Sequence, residues 1–321
     1  MKRLLLLLLL AALGALVWTF LPQPLPTTLA VNETFTAPQP QPPAGMKLSV
    51  MHAGRMESNG LFAYRGGPME KREFGMDVVV VEHPQGTLLF DAGFARDVAA
   101  QLHVVPALMR SVSKITAEKP VADQLAAAGV AHGAIKGIIL THAHWDHVSG
   151  LADLRDIPVW INPAELAFIH SGEVGAQLAA ELDAAQALNL REYRFDGPAY
   201  WGFPASHDVF GDGSVVLVPG AGHTPGSTIA FVHTPDGKHY ALIGDLAWQH
   251  EGVDLPAERP WLLRRMVDSD VAGVRDALVR LHLLHKAMPD LMVLPAHDRR
   301  VMNLLPEFGT GRQVFSPPPA G

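Results

Sequence analysis

The 321-residue sequence contains no cysteine. Without thiols the chain forms no disulfide, no thiolate metal site and no cysteine nucleophile, and the cysteine-linked anchor of bacterial lipoproteins is excluded as well. Long basic runs are also missing, since 25 Lys and Arg against 32 Asp and Glu give a net charge of −7. No bulk positive charge therefore attracts a phosphate backbone, and nucleic acid is a poor candidate partner.

The first 45 residues form two segments of unusual composition. Lys2 and Arg3 precede an apolar run over residues 4–21, which is the pattern of an export signal. The run suits a cleaved signal peptide, and it equally suits an uncleaved membrane anchor, because about 20 apolar residues cross a bilayer. The proline-rich residues 22–45 predict a stiff, extended linker.

The charge at the start of the chain bears on localisation. With Lys2 and Arg3 held inside, the positive-inside rule places the following domain outside the cytoplasmic membrane. We therefore expect an exported protein, either free in the periplasm or anchored to the membrane by residues 1–21. Thr28-Leu29-Ala30 is a weak candidate for a cleavage site.

The remaining chain predicts one folded domain over residues 46–315 and a disordered tail over residues 316–321. Apolar stretches predict strands at residues 47–52, 76–83, 87–91, 137–141, 158–161, 214–219, 227–233 and 239–244. Helical periodicity predicts helices at residues 95–102, 120–128, 163–169, 174–188 and 268–285. This order of elements predicts an α/β fold in which helices cover two packed sheets.

The strongest chemical signal is the heptapeptide Thr141-His142-Ala143-His144-Trp145-Asp146-His147, which follows an apolar strand and precedes a helix start. His142 and His144 are two residues apart, so in extended backbone both project to the same side. Asp146 and His147 follow where the chain turns, and they can face a second point nearby. Imidazole and carboxylate ligands together suit zinc and similar divalent ions.

Three later residues also follow predicted strands or apolar stretches: His223, Asp245 and His297. His223 lies in a glycine-rich loop, which allows the backbone to approach a site closely. Taken alone, each of the three has an ordinary explanation as a capping or surface residue. Taken with the heptapeptide, in this order, they are candidate metal ligands.

These motifs resemble those of the metallo-β-lactamase superfamily, whose mark is HxHxDH followed by distant His, Asp and His, over about residues 47–303. The resemblance implies a four-layer αββα sandwich and two divalent metal ions, with zinc as the default and iron, manganese or cobalt as alternatives. It implies that Asp245 bridges the metals and that Asp91 orients a ligand histidine. The remaining implied ligands are His142, His144 and His223 for the first metal, and Asp146, His147 and His297 for the second.

The resemblance also implies a mechanism. Two adjacent metals lower the pKa of bound water, so a hydroxide bridging them at neutral pH can attack a carbonyl or phosphoryl centre. Asp146 is a candidate for moving the proton. No side-chain nucleophile is needed, and Ser149 and Ser227 are interpreted as structural because neither lies in Gly-x-Ser-x-Gly.

Within the family, the sequence most resembles the N-acyl-homoserine lactonases, which share a bridging aspartate, here Asp245, and a last histidine close to the C-terminus, here His297. True β-lactamases lack a carboxylate corresponding to Asp245. Trp248 occupies the position where many of those lactonases carry a tyrosine that assists the carbonyl, and its indole N–H can donate a hydrogen bond. We therefore expect a small ester or lactone as substrate. An apolar pocket for an acyl chain is a further hypothesis, weighed against plain core packing, with walls from Phe62, Tyr64, Leu102, Val105, Leu108, Met109 and Val112.

Two other interpretations stay open from the sequence. A phosphodiesterase would use the same site on the same fold, because the same hydroxide attacks phosphorus. A non-catalytic metal-binding scaffold at the membrane is the alternative from another class, and the complete ligand set argues against it. The oligomeric state and the native metal are not determined by the sequence.

Overall fold

The computed structural model describes residues 1–27 and 35–310. Twelve strands in these residues form two sheets. The first sheet has the order β4-β1-β2-β3-β5-β6-β7, and its strands are β1 (Lys47–Asn59), β2 (Lys71–His83), β3 (Gly86–Phe90), β4 (Lys114–Ala117), β5 (Ile135–Ile139), β6 (Val159–Ile161) and β7 (Leu190–Glu192). The second sheet has the order β12-β11-β10-β9-β8, and its strands are β8 (His207–Asp208), β9 (Val215–Pro219), β10 (Thr228–His233), β11 (His239–Leu242) and β12 (Leu291–Leu294).

Eleven α-helices lie in the described residues, most of them short. They are α1 (Lys2–Phe20), α2 (Val98–Gln101), α3 (Ala107–Val112), α4 (Val121–Ala127), α5 (Trp145–Val148), α6 (Pro163–Ile169), α7 (Gln177–Ala185), α8 (Glu251–Asp254), α9 (Trp261–Val267), α10 (Val271–Ala287) and α11 (Arg299–Met302). The predicted helix at 163–169 has the same bounds as α6, whose N-cap Asn162 accepts from the backbone of Ala164 and Glu165.

The alternation of side chains along the strands produces the layers. In β2, Val79 and Val81 lie in the core between the two sheets, whereas Val78 and Val80 face the helices on the outside of the first sheet. In β10, Ala230 and Val232 belong to the core between the sheets, and Phe231 between them faces α10 on the far side. Because each sheet is apolar on both faces, the chain forms the expected αββα sandwich.

The strands predicted at 76–83 and 87–91 pair as a hairpin, β2 with β3, and those predicted at 227–233 and 239–244 pair as another, β10 with β11. Other boundaries differ from the sequence prediction. β1 continues to Asn59 through a bulge between His52 and Arg55, where the apolar alternation is interrupted. The helix predicted at 95–102 begins only at Val98, because Asp97 caps it.

The elements that the sequence prediction missed are the short ones. They include strands β4, β7 and β8 and helices α3, α8, α9 and α11, none longer than seven residues. A segment of that length shows too few turns for its periodicity to be recognised. Two of these helices, α3 and α9, border the candidate functional site.

The N-terminal helix α1 is apolar and mostly exposed, and it is long enough to cross a membrane by length and composition. The described parts of the predicted linker contain no helix or strand, and they contact the domain. Leu25 N–H donates to Pro256 O at 2.8 Å, and Gln41 N–H donates to Asp212 O at 2.8 Å. The candidate cleavage site Thr28-Leu29-Ala30 and the predicted tail 316–321 lie outside the described residues.

Candidate metal centre

All the candidate ligands lie at one edge of the sandwich, where five strands end. The loops after β3, β5, β9, β11 and β12 carry, in that order, Asp91, the heptapeptide 141–147, His223, Asp245 and His297. Thr228 N–H donates to Thr141 O at 2.8 Å and joins the two sheets at this edge, and Ala296 N–H donates to Gly244 O at 3.1 Å and joins the loops after β11 and β12. The fold therefore brings together residues that are up to 206 positions apart in the sequence, Asp91 and His297.

The heptapeptide has the local conformation that its spacing predicted. β5 ends at Ile139, and His144 is the extended N-cap of the one-turn helix α5. His142 and His144 consequently lie on one side, with ring centroids 4.7 Å apart. Asp146 and His147 follow within the helical turn and point to a different position.

The seven candidate ligands form three overlapping groups. Within each group the ligand atoms all lie within 4.8 Å of one another, and the groups are His142–His144–His223, Asp146–His147–His297 and His142–His147–Asp245. The first two groups are the two ligand sets that the sequence resemblance implied. Asp245 lies between them, with a carboxylate oxygen 3.6 Å from His223 Nε2 and another 3.2 Å from His147 Nε2.

Three buried atoms in the cluster lack a hydrogen-bond partner among the described residues: His142 Nε2, His147 Nε2 and Asp245 Oδ1. The last two lie 3.2 Å apart without the alignment of a hydrogen bond. Buried polar atoms are nearly always partnered, because an unpartnered one costs about 1–3 kcal/mol. A cation that accepts these lone pairs would satisfy all three atoms, so the donor set fits a divalent metal.

The electrostatics of the cluster also suit a cation. Burial lowers the pKa of His142 and of His144 well below the usual value, so both imidazoles are neutral at pH 7. Burial opposes ionisation of Asp245, yet the neighbouring His297 and His147 lower its pKa well below the usual value. An ionised carboxylate and neutral imidazoles are the ligand state that binds metals. Despite burial, Asp91 and Asp245 raise the pKa of His147 and Asp245 raises that of His297, so these two rings would each release a proton on binding a metal.

Three of the histidines are oriented by an acceptor at the other ring nitrogen. His147 Nδ1 donates to Asp91 Oδ2 at 2.8 Å, His223 Nδ1 donates to Asp268 Oδ1 at 2.8 Å, and His297 Nδ1 donates to Gly75 O at 2.7 Å. In each ring the Nε2 atom is thereby directed into the cluster. Such partners fix the tautomer and strengthen the ligand.

Asp91 is both a turn residue and the carboxylate that orients His147. Its backbone is left-handed, with φ 64°, and its side chain accepts from Thr141 N–H at 2.7 Å as well as from His147. Aspartate tolerates this backbone conformation better than most residues. The turn after β3 therefore supports both the heptapeptide loop and one of its histidines.

Sequence reasoning missed a buried Arg259–Asp268 ion pair next to His223. The Arg259 guanidinium also donates to the Asp245 carbonyl oxygen at 2.6 Å, so this one residue supports two candidate ligands. Asp268 is buried, yet Arg259 and His223 hold its pKa below the usual range. No motif marks either residue, because the contacts form only when α9 and α10 fold over the site.

A second missed residue is Glu165, which joins the two loops that carry His144 and His223. Its carboxylate accepts from Ala143 N–H at 2.6 Å, from the Thr224 hydroxyl at 2.7 Å and from Gly226 N–H at 2.9 Å. Burial raises the pKa of Glu165 to about 7, although these donors lower it. Gly226 is required here, because a side chain would collide with the Glu165 backbone.

Trp248 is buried beside the cluster, and its indole N–H donates to Asp245 Oδ2 at 2.7 Å. The donor that the sequence offered for a substrate carbonyl is therefore engaged with a candidate ligand. Ser149 bonds to Gln101 and to the Ala95 N–H, and Ser227 bonds to Thr224, in line with the structural interpretation of both serines.

A cavity of about 70 Å³ opens onto the cluster, with polar walls from His144, Asp146, His223, Asp245 and His297. Its other walls are almost entirely apolar. Of the seven residues proposed from the sequence as walls of an acyl-chain pocket, four line a cavity near the cluster. Phe62, Leu108, Met109 and Val112 line this cavity or the one next to it. Tyr64 and Val105 instead lie in the core beside the first sheet, and Leu102 packs against that core.

The fold and the site define a class of protein, the metallo-hydrolases that carry a His/Asp cluster on an αββα sandwich. Comparison with known proteins gives the family. The profile of the metallo-beta-lactamase superfamily matches residues 73–297. The chain belongs to the metallo-beta-lactamase superfamily.

The relatives agree with this assignment. A protein of Mycobacterium tuberculosis named "Probable metallo-hydrolase" is 29% identical over 238 residues, which are 69% of this chain and 74% of the relative. A protein of Bacillus subtilis with the same designation is 30% identical over 122 residues, which are 35% of this chain and 49% of that protein.

Solved structures show the same fold. One is a mutant of the Bacillus thuringiensis AiiA protein with N-decanoyl-L-homoserine bound at the active site; it has a TM-score of 0.65 and 18% identity and covers 82% of this chain and 97% of its own. Another is AidC, described as a dizinc quorum-quenching lactonase in complex with a product, with a TM-score of 0.51 and 16% identity over 81% of this chain and 90% of its own.

Proposed function

We propose that this protein is a dinuclear metal-dependent hydrolase that cleaves an ester or lactone bearing an apolar acyl group, with N-acyl-homoserine lactones as the first candidates. The observation that carries the proposal is an apolar cavity that ends at three overlapping groups of ligand atoms. The structures with homoserine products at the active site, similar in fold, support the substrate class.

In the proposed centre, His142, His144 and His223 hold one metal ion, and Asp146, His147 and His297 hold the other. Asp245 contributes to both, since its carboxylate lies within 3.6 Å of histidines from each set. Divalent metal ions bound there, zinc being the first candidate, supply Lewis-acid activation of water and of the substrate carbonyl. The absence of cysteine leaves nitrogen and oxygen ligands, a set that zinc, iron, manganese and cobalt all accept.

The chain's own groups have distinct functions in this proposal. Asp146 lines the cavity and lies 3.3 Å from His297 Nε2, so its carboxylate is placed to accept a proton from the attacking water and to pass it to the leaving oxygen. Trp248 positions Asp245 through its indole N–H. The apolar walls hold the acyl group and exclude water.

The lining of the cavity favours a neutral substrate over a phosphodiester. Within the described residues no lysine or arginine lines it, whereas Met56, Phe74, Val104, Met109 and Met266 do. Arg259, the nearest guanidinium described above, is buried and paired with Asp268. A phosphodiester would bring its charge into a cavity without a matching cation from the protein.

The test is metal analysis joined to a hydrolysis panel on the full chain in detergent. We expect two metal ions per chain and hydrolysis of acyl lactones or p-nitrophenyl esters, with little activity on bis-p-nitrophenyl phosphate. Removal of metal by a chelator should abolish the activity, and added zinc, manganese or cobalt should restore it. Protein that takes up no divalent metal, or that hydrolyses only the phosphodiester, would contradict the proposal.

A further inference from the structure

A second apolar cavity of about 130 Å³ continues from the one at the metal cluster. The two cavities share walls from Met56, Phe74, Met109, Trp248 and Met266, so they adjoin each other, and the two together are called the channel below. Among the thirteen residues that line the second cavity, only Ser58 and Ser113 are polar. The second cavity, called the outer compartment below, is therefore apolar and has no charged partner for a charged group.

The outer wall of this compartment includes Phe20, the last residue of α1. Phe20 packs edge-on against Phe62, which also lines the compartment, with ring centroids 6.2 Å apart. The N-terminal helix is thus part of the channel and not only a segment attached to the domain.

The end of α1 is held to the domain by specific hydrogen bonds. Arg65 is buried, and its guanidinium donates to Thr19 O at 3.0 Å and to Trp18 O at 2.9 Å, which satisfies carbonyls that the helix end leaves free. Gly66 N–H donates to Phe20 O at 2.8 Å. The same guanidinium also forms an ion pair with Glu258 at 3.8 Å, so Arg65 links the end of α1 to the domain.

The surface around the outer compartment is apolar and exposed. Leu108 is 45% exposed and Val112 is 42% exposed on α3, and Trp261 is 48% exposed on α9. Leu108 and Val112 line the compartment itself, and Trp261 N–H donates to Thr19 Oγ1 at 2.6 Å, at the end of α1. Arg265 lies over the Trp261 ring, with its guanidinium carbon 5.2 Å from the centroid. An aromatic ring with a cation beside it is typical of a membrane–water interface.

We propose that α1 is retained as a membrane anchor and that its end helps to form a channel through which a substrate with a long acyl chain enters from the bilayer. The proposal rests on the hydrolase function proposed above and specifies its substrate. With 19 residues, α1 is about 28 Å long, close to the thickness of the bilayer core, about 30 Å. The end of a spanning helix lies at the membrane surface, so Trp261, Leu108 and Val112, which surround that end, lie there too.

The first experiment determines whether α1 is retained and where its end lies. Mass spectrometry of the natively produced protein should find the N-terminal segment uncleaved, and recovery of a chain that begins after Phe20 would overturn the proposal. Because the sequence has no cysteine, a nitroxide can be placed on Leu262→Cys alone, with Leu304→Cys as the control. Both leucines are exposed, but Leu304 lines a different surface cleft.

In vesicles of phosphatidylethanolamine and phosphatidylglycerol, the label at position 262 should collide more with dissolved oxygen than with a water-soluble nickel chelate. The label at position 304 should show the opposite preference. Equal exposure of both labels to the nickel chelate would overturn the membrane location.

The second experiment tests the channel with N-acyl-homoserine lactones from butanoyl to dodecanoyl. For the wild type, kcat/KM should rise by about fourfold for each methylene that the channel buries. Leu108→Trp and Val112→Trp fill only the outer compartment, so kcat/KM for the dodecanoyl substrate should fall by about fifteenfold, the value of roughly two buried methylenes. The readout is the ratio of kcat/KM for the dodecanoyl substrate to kcat/KM for the butanoyl substrate, which should fall by that factor. An unchanged circular dichroism spectrum and metal content show that the variants are folded, and Leu304→Trp is the matched control that should keep the wild-type ratio.

The outcomes separate the two proposals. If no lactone or ester of any chain length is hydrolysed by the metal-loaded wild type, the hydrolase function fails. If both short and long substrates are hydrolysed and the tryptophan variants leave the chain-length profile unchanged, the function stands and the channel is overturned.

Discussion

Two groups of histidines in this protein, a pair on β10 and β11 and the cluster at the strand ends, differ in the partners of their ring nitrogens. On β10, His233 Nε2 accepts from the Tyr200 hydroxyl at 2.7 Å, and its Nδ1 lies 2.6 Å from His239 Nδ1, so both nitrogens are satisfied. In the cluster at the strand ends, His142 Nε2 and His147 Nε2 have no hydrogen-bond partner among the described residues. His233 is buried and His239 is half-buried, and only the cluster at the strand ends contains carboxylates.

The comparison shows what distinguishes a metal centre from a buried polar pair. Burial lowers the pKa of His233 to about 3 and likewise lowers the pKa of His142, so both are neutral at pH 7. A neutral, buried imidazole is therefore present in each group, whereas in the cluster the Asp91 and Asp245 carboxylates raise the pKa of His147 well above its usual value despite burial. Unpartnered nitrogens and the converging carboxylates of Asp146 and Asp245 are present in one group alone, and they are what a divalent cation would satisfy.

The largest effect is expected from Asp245→Asn. The amide keeps the shape of the side chain but removes the charge that both proposed metal sets share, so kcat/KM should fall by a factor on the order of 10³. Metal content per chain, measured by mass spectrometry, should also fall. His239→Gln, from the other histidine group, is the control and should keep its full metal content. Two bound metals with normal activity in Asp245→Asn would remove the distinction between the groups.

A smaller loss is expected from Asp268→Asn. His223 would keep a hydrogen bond, but the charge that fixes its tautomer would be gone and Arg259 would lose its buried partner. Partners of metal-bound histidines typically change metal affinity by about 10- to 100-fold. Titration against a competing chelator measures this affinity, and Asp276→Asn, an exposed aspartate on α10, is the matched control. An unchanged affinity would show that His223 does not need this partner.

The His233–His239 pair predicts a pH dependence of stability that is separate from the metal. Because the folded-state pKa of His233 is lowered to about 3, the unfolded chain binds more protons between that pH and about 6.5. Stability is therefore fully present above about pH 6.5 and is lost as the pH falls, by about 2 kcal/mol at pH 5.

Urea unfolding of the metal-free protein at pH 7.5 and pH 5 measures this change. His233→Gln has no titrating group and should show a loss that is smaller by about the same 2 kcal/mol. The metal ligands contribute equally to both proteins, so the difference between them isolates His233. Equal losses of stability in the wild type and in His233→Gln would contradict the assignment of His233 as a neutral ring with both nitrogens hydrogen-bonded.

The smallest effect is expected from Trp248→Phe. The substitution removes one hydrogen bond to Asp245 and keeps an aromatic ring against Phe74, so kcat/KM should fall by about tenfold, the value of a hydrogen bond to a charged group. The fall should appear in kcat with little change in KM, because Trp248 acts through Asp245. A loss confined to KM would instead indicate that the indole contacts the substrate.

The parts of the site that the sequence predicted are those with local or strongly patterned signals. The heptapeptide 141–147 places four ligand candidates at fixed spacing after a strand, so its geometry follows from the periodicity of extended and helical backbone. His223, Asp245 and His297 were recognised only as members of a family pattern. Their convergence depends on strands β9, β11 and β12 lying in the second sheet, across the sandwich from β5.

Other residues had no signal that periodicity or motif could provide. Glu165 lies in an amphipathic helix, and Arg259 and Asp268 flank a helix of seven residues, so their sequence context is that of ordinary surface positions. Each becomes a supporting residue because a loop or helix from another part of the chain covers it and removes it from water. The same is true of Phe20, which the sequence marks only as part of an apolar run.

By itself the sequence therefore determined the family, and through the family pattern the αββα layers and the seven candidate ligands. Only the four ligands of the heptapeptide follow from side-chain chemistry and spacing within one strand and turn. The tertiary structure alone decided which nitrogen of His147, His223 and His297 faces the cluster, that Trp248 is committed to Asp245, and that the apolar channel reaches α1. These features depend on distances between segments far apart in the chain, and such distances are set only when the two sheets pack and the short helices close over their common edge.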